Sequence, residues 1–289
     1  MATWDSVASL LRYSSPVALA AVGETVVEVS GIINIGLEGM MLAGAYAAVV
    51  GSLQTGNPWI GVLYGVGAGI AFALVNCLVL VYLRVDQVLA GTAMNLLSLG
   101  LTSTLFRARF GQSGQLISAP EISRFAGVDV IIIGLAVLVL GLHFLIRRSG
   151  WGLALRACGE YPSAARASGY SVEMLRCSAL LIGGLFGGLA GAYLSIGIAG
   201  SFAENMTSGR GFVAIALVTF GRWRTPWVLA AALLIGYAES LQYSLQGTSS
   251  IPYQFFLALP YLIALAVLVF VGKGAIAPES LGNTELEVG

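Results

Sequence analysis

The sequence predicts an all-α fold in which a polytopic bundle of helices spans a membrane, and three features of its composition support this prediction. Of the 289 residues, 57% are hydrophobic and only 10% are charged, whereas soluble domains average about 25% charged residues. The mean hydropathy is +0.88. The 38 glycines occur within apolar runs, where small residues let transmembrane helices pack closely. This composition is typical of a helical membrane protein.

Apolar segments of roughly membrane-spanning length recur along the chain, and we expect about eight or nine of them. Two fit poorly, because the first contains Glu24 and Glu28 and the seventh is short and begins with Ser-Gly-Arg-Gly. These two are candidates for broken or re-entrant helices. The segments cover residues 8–30, 35–53, 58–83, 88–106, 129–146, 177–199, 207–220, 227–245 and 254–272.

Arginine-rich loops predict which side of the bundle faces the cytoplasm. The 147–176 loop contains five arginines, and the turns at 84–87 and 221–226 add more on the same side. The 107–128 loop falls on the opposite side, although it contains three arginines itself. We therefore expect the 147–176 loop to be cytoplasmic.

The chain is expected to form one transmembrane domain over residues 1–273, followed by a flexible C-terminal tail over 274–289. A net charge of zero gives no reason to expect nucleic acid as a partner. The three cysteines are odd in number and lack metal-site spacing, so we expect them to pack as small apolar residues rather than form a disulfide framework. We expect no metal site.

Carboxylates and amides within the apolar segments form the first candidate site, since such residues face partners or water-filled cavities. Gly31, Gly36 and Gly39 favour a helix that ends near residue 30 and restarts after Asn34, a suitable N-cap. Two interpretations stay open: an interfacial turn, or a discontinuous helix pair that lines a polar passage. For Asn76, Asn95 and Glu239, each taken alone, a hydrogen bond between helices is the better explanation. The candidate translocation-pathway residues are Glu24, Glu28, Asn34, Glu38, Asn76, Asn95 and Glu239.

A second candidate site is the segment at about 155–172, which predicts a short helix lying across the cytoplasmic face. Pro162 suits the first turn of a helix, where its missing N–H is not needed, and Gly169 is suited to end it. The small side chains between them suit insertion into a groove on another protein, whereas the alternative is a plain solvated loop. The candidate docking residues are Gly159, Glu160, Tyr161, Pro162, Ala164, Ala165 and Gly169.

The chain resembles the permease subunits of bacterial ABC importers in three stretches: GIINIGLEGMMLAGAYAA, LRACGEYPSAARASGYSVEMLR and GRGFVAIALVTFGRW…GYAESLQ. The most similar group is the simple-sugar and nucleoside permeases, which are related to branched-chain amino acid permeases. The resemblance covers about residues 16–270 and implies a type II importer fold. It implies that the segment matching Gly159–Gly169 is a coupling helix that docks in the ATPase cleft, and that Gly31–Gly39 lies in the translocation core. Val29 and Tyr161 depart from the family pattern, which commonly has Arg and Asn there.

The resemblance also implies the partners and the location of the chain. They are a cytoplasmic ABC ATPase that binds ATP and Mg, a second homologous permease in a heterodimer, and an extracytoplasmic substrate-binding protein, in the bacterial cytoplasmic (inner) membrane. The solute is expected to be a nucleoside or simple sugar. Because the chain has no G-x-x-x-x-G-K-[ST] loop, we expect neither catalysis nor a cofactor on it. The alternative is an ion-coupled secondary transporter, with Glu38 or Glu239 as the coupling carboxylate.

Overall fold

The computed structural model describes residues 2–111, 118–120, 122, 124–125, 128–246, isolated positions between 255 and 269, and 276–283. The described part consists of helices joined by turns, with one two-residue antiparallel pair, β1 (Arg124–Phe125) and β2 (Val128–Asp129). This confirms the predicted helical fold. The helices are α1 (Ala2–Val29), α2 (Leu37–Thr55), α3 (Pro58–Asn76), α4 (Gln87–Phe110), α5 (Val130–Arg148), α6 (Gly150–Glu160), α7 (Pro162–Ala167), α8 (Val172–Ala192), α9 (Arg210–Phe220) and α10 (Thr225–Gln246).

Two of these helices continue as π-helical turns, α3 through Cys77–Tyr82 and α8 through Tyr193–Ala199. With these extensions, four described helices are long and apolar enough to cross a membrane: Pro58–Tyr82, Gln87–Phe110, Val130–Arg148 and Val172–Ala199. Their outer surfaces carry exposed side chains such as Leu63, Leu96 and Val137, as expected of helices that face lipid.

The predicted seventh segment forms a helix that is too short to cross a bilayer. Helix α9 has 11 residues, which rise about 16 Å at 1.5 Å per residue, against about 30 Å of hydrocarbon. The structure therefore confirms a partial helix here. The predicted 254–272 segment lies mostly outside the described residues.

Helix α8 lies at the centre of the bundle, in contact with α1, α2 and α3. Its packing against α3 depends on pairs of glycines, because the backbone at Gly69 lies directly against Gly184 and Gly188 and leaves no room for a methyl group. Gly44 of α2 approaches Gly188 in the same way. Small residues thus bring three helix backbones into direct contact, as the glycine content predicts.

The cysteines do not all behave as expected from the sequence. Cys77 and Cys177 form a disulfide, with their Cα atoms 5.3 Å apart, whereas Cys158 is free and buried. The expectation that these cysteines pack only as small apolar residues is therefore wrong for this pair. The two are 100 residues apart in sequence, and only the packing of the α3 extension beside α8 brings them together.

Residues 276–283 fall within the segment predicted to be a flexible tail, yet they are hydrogen-bonded to the rest of the chain. The Ser280 N–H donates to the Gly159 carbonyl (2.9 Å), and the Gly282 N–H donates to the Gly31 carbonyl (3.2 Å). These contacts return the chain to the end of α6. Residues 274–275 and 284–289 lie outside the described residues.

We predict that Gly69→Ala destabilises the folded protein, because the added methyl group meets the α8 backbone; overpacking of this kind costs about 1–3 kcal/mol. Gly67→Ala is the matched control on the same helix, since no atom lies within 4 Å of its added Cβ. Thermal unfolding of the detergent-solubilised variants tests this. Equal melting temperatures for the two variants would contradict the close packing of α3 on α8.

Candidate functional site

The first candidate site is the break between α1 and α2, over residues 30–36. Helix α1 ends at Val29, and Gly31 adopts a left-handed backbone conformation with φ of +94°, which favours glycine. The chain re-enters a helix where the Leu37 N–H donates to the Asn34 carbonyl (3.1 Å). The structure therefore contains the discontinuous helix pair that the glycines indicate. The N-cap of α2 is Gly36, without a side-chain hydrogen bond, so the expected capping role of the Asn34 side chain is wrong.

The backbone freed by this break is bound by side chains of neighbouring helices. The Asn34 N–H donates to Glu24 Oε1 (2.9 Å), and the Ile33 N–H donates to Gln87 Oε1 (2.8 Å). The Asn34 side-chain oxygen in turn accepts a hydrogen bond from Asn76 Nδ2 (3.0 Å). Because Glu24, Asn34 and Asn76 are fully buried, these bonds replace the water that the backbone would otherwise need.

Helix α4 completes this set of bonds from the other side of the break. Asn95 accepts from the Gly39 N–H at Oδ1 (2.8 Å) and donates from Nδ2 to the Ile35 carbonyl (2.9 Å). The Ser98 hydroxyl donates to the Gly39 carbonyl (2.7 Å). One amide side chain therefore bonds both the donor and the acceptor side of the same backbone turn.

Glu38 links the start of α2 to the N-terminus of α9. Its Oε1 accepts from the Gly209 N–H (2.8 Å) and its Oε2 accepts from the Gly211 N–H (2.6 Å). A carboxylate is favourable at this end of a helix, where N–H groups lack intrahelical partners and the helix dipole is positive.

Glu28 binds the opposite end of the same short helix. The indole Nε1 of Trp223, in the turn after α9, donates to Glu28 Oε2 (2.6 Å). Trp223 and its neighbour Arg222 both adopt left-handed backbone conformations, with φ of 53° and 50°, so a strained turn presents the indole to the carboxylate. Helix α9 is thus attached by one carboxylate at each end to the two halves of the broken helix.

Glu239 lies apart from the other predicted pathway residues. Its Oε1 is 3.6 Å from Arg210 Nε, and the pair lines a cavity of about 220 Å³ together with Tyr13, Ser201 and Met206, among other residues. The structure therefore brings six of the seven predicted residues together around the break and places the seventh in a separate cavity. A direct contact of any of them with a solute stays a prediction.

The second candidate site, at the coupling segment, contains the short helix predicted for it, α7, with Pro162 in its first turn. Gly169 follows it with φ of +85°. Three predicted docking residues, Gly159, Pro162 and Ala165, are buried against the rest of the chain. The exposed ones are Glu160, Tyr161, Ala164 and Gly169, and their contact with a partner stays a prediction.

The buried side of this segment rests on the end of α1. The Ser30 carbonyl accepts hydrogen bonds from Arg176 Nε (3.4 Å) and from the Cys158 thiol (3.6 Å), and burial raises the pKa of that thiol. The Cα of Gly159 lies beside Gly31. The segment predicted to dock a partner is thus in direct contact with the break through its buried side.

At the opposite end of the bundle, Arg107 and Glu204 form a two-pronged ion pair, with both N···O distances 2.7 Å. The hydrogen bond from Arg107 lowers the pKa of the Glu204 carboxyl. This pair joins the end of α4 to the loop before α9. Both side chains are partly exposed, so the pair contributes little to stability.

Sequence reasoning missed several residues of the break site. Gln87 and Ser98 lie on the same helix as Asn95, at spacings of eight and three residues that place all three on one face, so a search for polar residues in phase with Asn95 would have found them. Trp223 carries no such signal, because it meets Glu28 across 195 residues of sequence.

Comparison with known proteins gives a consistent result. The model of a family described as branched-chain amino acid transport system, permease component, matches residues 6–272. The chain is 33% identical to the guanosine ABC transporter permease protein NupQ of Bacillus subtilis, over 96% of this chain and 94% of that protein. It is 32% identical to the nucleoside ABC transporter permease protein NupC of Lactococcus lactis, over 96% and 95%. It is 36% identical to the putative glucose ABC transporter permease protein TsgC13 of Haloferax volcanii, over 80% and 74%.

We predict that Trp223→Phe lowers the free energy of unfolding by about 1–3 kcal/mol, the usual cost of leaving a buried polar group without its partner, because it removes the indole donor of the buried Glu28. Trp227→Phe is the control, since Trp227 is exposed. Denaturation of purified protein gives both values. An equal loss in the two variants would show that the indole–carboxylate bond does not hold α9.

Proposed function

The chain belongs to the branched-chain amino acid transport system permease family, and from this premise we propose that it is the permease subunit of an ABC importer for a nucleoside or simple sugar. It is a multi-pass integral protein of the bacterial cytoplasmic membrane. The family description mentions branched-chain amino acids, but three relatives that cover most of the chain are named for guanosine, nucleosides and glucose. Those names support the choice of solute.

One observation carries the proposal: an exposed short helix, α7, directly follows α6, whose last turn rests on the end of the broken helix. Tyr161 is 64% exposed at the start of α7, and Ala164 is exposed on its outer face. The preceding end of α6 contacts Ser30 through the Cys158 thiol and Gly31 through Gly159. A partner that displaces α7 therefore also displaces the end of α1. Such a contact is suited to transmit motion from an ATPase to the membrane segments.

The break and helix α9 would then move together. Because Glu28 and Glu38 hold the two ends of α9, a shift of α1 relative to α2 changes the position of α9 as well. Alternation between outward-open and inward-open states needs a coordinated movement of this kind. The bonds of Glu28 and Glu38 would coordinate this movement, and no nucleotide has to bind to this chain for them to do so.

The proposed assembly has four kinds of component. A cytoplasmic ATPase binds ATP and Mg²⁺ and docks on α7, and this chain carries no cofactor and no catalysis. A second, different permease subunit completes the translocation pathway. An extracytoplasmic binding protein delivers the solute. The family description and the names of the relatives support an ABC-type assembly, and the resemblance of the sequence to such permeases supports the proposed set of subunits.

Among the predicted pathway residues, Asn95 and Glu239 are the ones that are not buried, and we assign solute contact to these two. Asn95 would use the second amide hydrogen and the second oxygen lone pair that its bonds to Ile35 and Gly39 leave over. Amide and carboxylate groups suit hydrogen bonding to the hydroxyls of a neutral sugar ring. The other five, Glu24, Glu28, Asn34, Glu38 and Asn76, are buried, and together with Asn95 they hold the break in position.

The contacts of its two candidate carboxylates weigh against the ion-coupled alternative. Both oxygens of Glu38 already accept backbone N–H groups, and Glu239 lies beside Arg210. A coupling carboxylate must gain and lose its ion during each cycle. Neither residue is placed to do this without breaking a bond that holds α9.

The function is tested by reconstituting the chain with its ATPase, the second permease and the binding protein in proteoliposomes. Uptake of labelled guanosine and of pentoses is expected to require ATP on the side of the membrane where the ATPase is bound. Uptake that follows a proton or sodium gradient and ignores ATP would instead establish the ion-coupled alternative.

We predict that Ala164→Glu abolishes most ATP-driven uptake while the subunit stays inserted and folded, because a buried charge in a docking cleft is costly. Ala164→Ser is the matched control and keeps uptake, since it adds only a small side chain to the same position. Ala165→Glu is unsuitable, because Ala165 is 1% exposed and faces the subunit itself. Undiminished uptake by Ala164→Glu would rule out docking through this face.

A further inference from the structure

Residues 276–283, which we call the C-terminal clasp, fold back onto the junction between α6 and the helix break. Ser280 is fully buried. Its N–H and its hydroxyl both donate to the Gly159 carbonyl, at 2.9 and 2.7 Å, and the hydroxyl also lies 3.3 Å from the Cys158 carbonyl. These carbonyls belong to the last turn of α6, which lacks intrahelical donors. The clasp therefore supplies hydrogen-bond donors to the free carbonyls at the C-terminal end of α6.

Two residues later, the clasp binds the break itself. The Gly282 N–H donates to the Gly31 carbonyl (3.2 Å), and Gly282 adopts a φ of +74° beside the Ile33 side chain. A turn holds the two contacts at a constant spacing, since the Asn283 N–H donates to the Ser280 carbonyl (3.1 Å). One short segment is thus bonded to both α6 and the turn after α1.

The backbones of the clasp, the end of α6 and the break meet closely around the Ser280 hydroxyl. A Cβ on Gly31 would collide with the Ser280 hydroxyl, and a Cβ on Gly159 would collide with the Val29 carbonyl. The junction is therefore closely packed from all three sides. If α6 and the break moved relative to each other, the clasp would have to break its hydrogen bonds to one of them.

We propose that the C-terminal clasp fastens the ATPase-docking segment to the broken helix, with Ser280 and Gly282 as positioning residues for energy coupling. This inference rests on the proposed function, in which α7 receives the movement of the ATPase. The clasp keeps α6 and residues 30–36 moving as one unit. Without it, the described contacts from α6 to the end of α1 and the break are reduced to the bond of the Cys158 thiol to the Ser30 carbonyl and packing around Gly159, so part of the movement is lost.

The test uses the complete reconstituted importer and measures solute molecules imported per ATP hydrolysed. Gly282→Pro removes the N–H that binds Gly31 and is incompatible with the positive φ, and truncation after residue 275 removes the whole clasp. Both are expected to keep assembly and basal ATP hydrolysis. Gly282→Pro is expected to lower the coupling ratio about fivefold, the order expected from one lost hydrogen bond, and the truncation is expected to lower it further, because it removes every bond of the clasp. Ser280→Ala removes the hydroxyl bonds alone and is expected to lower the ratio about twofold.

Glu279→Ala is the matched control, because Glu279 is the exposed neighbour of Ser280, and it is expected to leave the ratio unchanged. A normal ratio in Gly282→Pro and in the truncated chain, with only a lower melting temperature, would overturn the coupling role and leave a packing role. Absence of ATP-driven uptake by the unmodified complex would instead overturn the proposed function, and the coupling role of the clasp with it.

Discussion

The structure depends on one constraint: a helix that is interrupted inside the buried interior of the bundle must have its freed backbone groups bonded by protein. Lipid offers no hydrogen bonds, and each unpaired group costs several kcal/mol. Here Glu24, Gln87 and Asn95 supply those bonds to residues 33–39. The polar residues in otherwise apolar segments, which stand out in the sequence, are explained first by this requirement.

The same break is also the point where other parts of the chain meet. Glu28 and Glu38, on either side of the break, bind the two ends of the short helix α9. The Ser30 carbonyl accepts hydrogen bonds from side chains beneath the docking segment. The Gly31 carbonyl accepts a hydrogen bond from the C-terminal clasp. A rigid helix could not bind so many partners through its backbone, because its carbonyls would be occupied internally. Interrupting the helix makes its backbone available to couple distant elements, which suits a subunit that is moved by a separate motor.

Several expectations from the sequence changed once burial was known. Alternation of small residues in α7 does not reveal which of them face outward, so Ala164 and Ala165 looked equivalent although one is exposed and the other is buried. Asn34 looked like a helix cap, but its side chain is bonded to Asn76 and its role lies between helices. The pairing of Cys77 with Cys177 has no signature in sequence spacing, since it depends on how the α3 extension lies beside α8.

The amino-acid sequence by itself determined the local elements: apolar helices, the break around Gly31, and a short helix opened by Pro162, because hydrophobic runs, glycine and proline act on neighbouring residues. Six of the seven predicted pathway residues belong to one cluster, which their shared polarity in apolar surroundings already indicated. Only the tertiary structure decided the bonds of that cluster, such as Glu28 with Trp223, and the return of Ser280 to Gly159. Those contacts depend on the rotation and depth of each helix in the bundle, which are set by packing against all its neighbours at once.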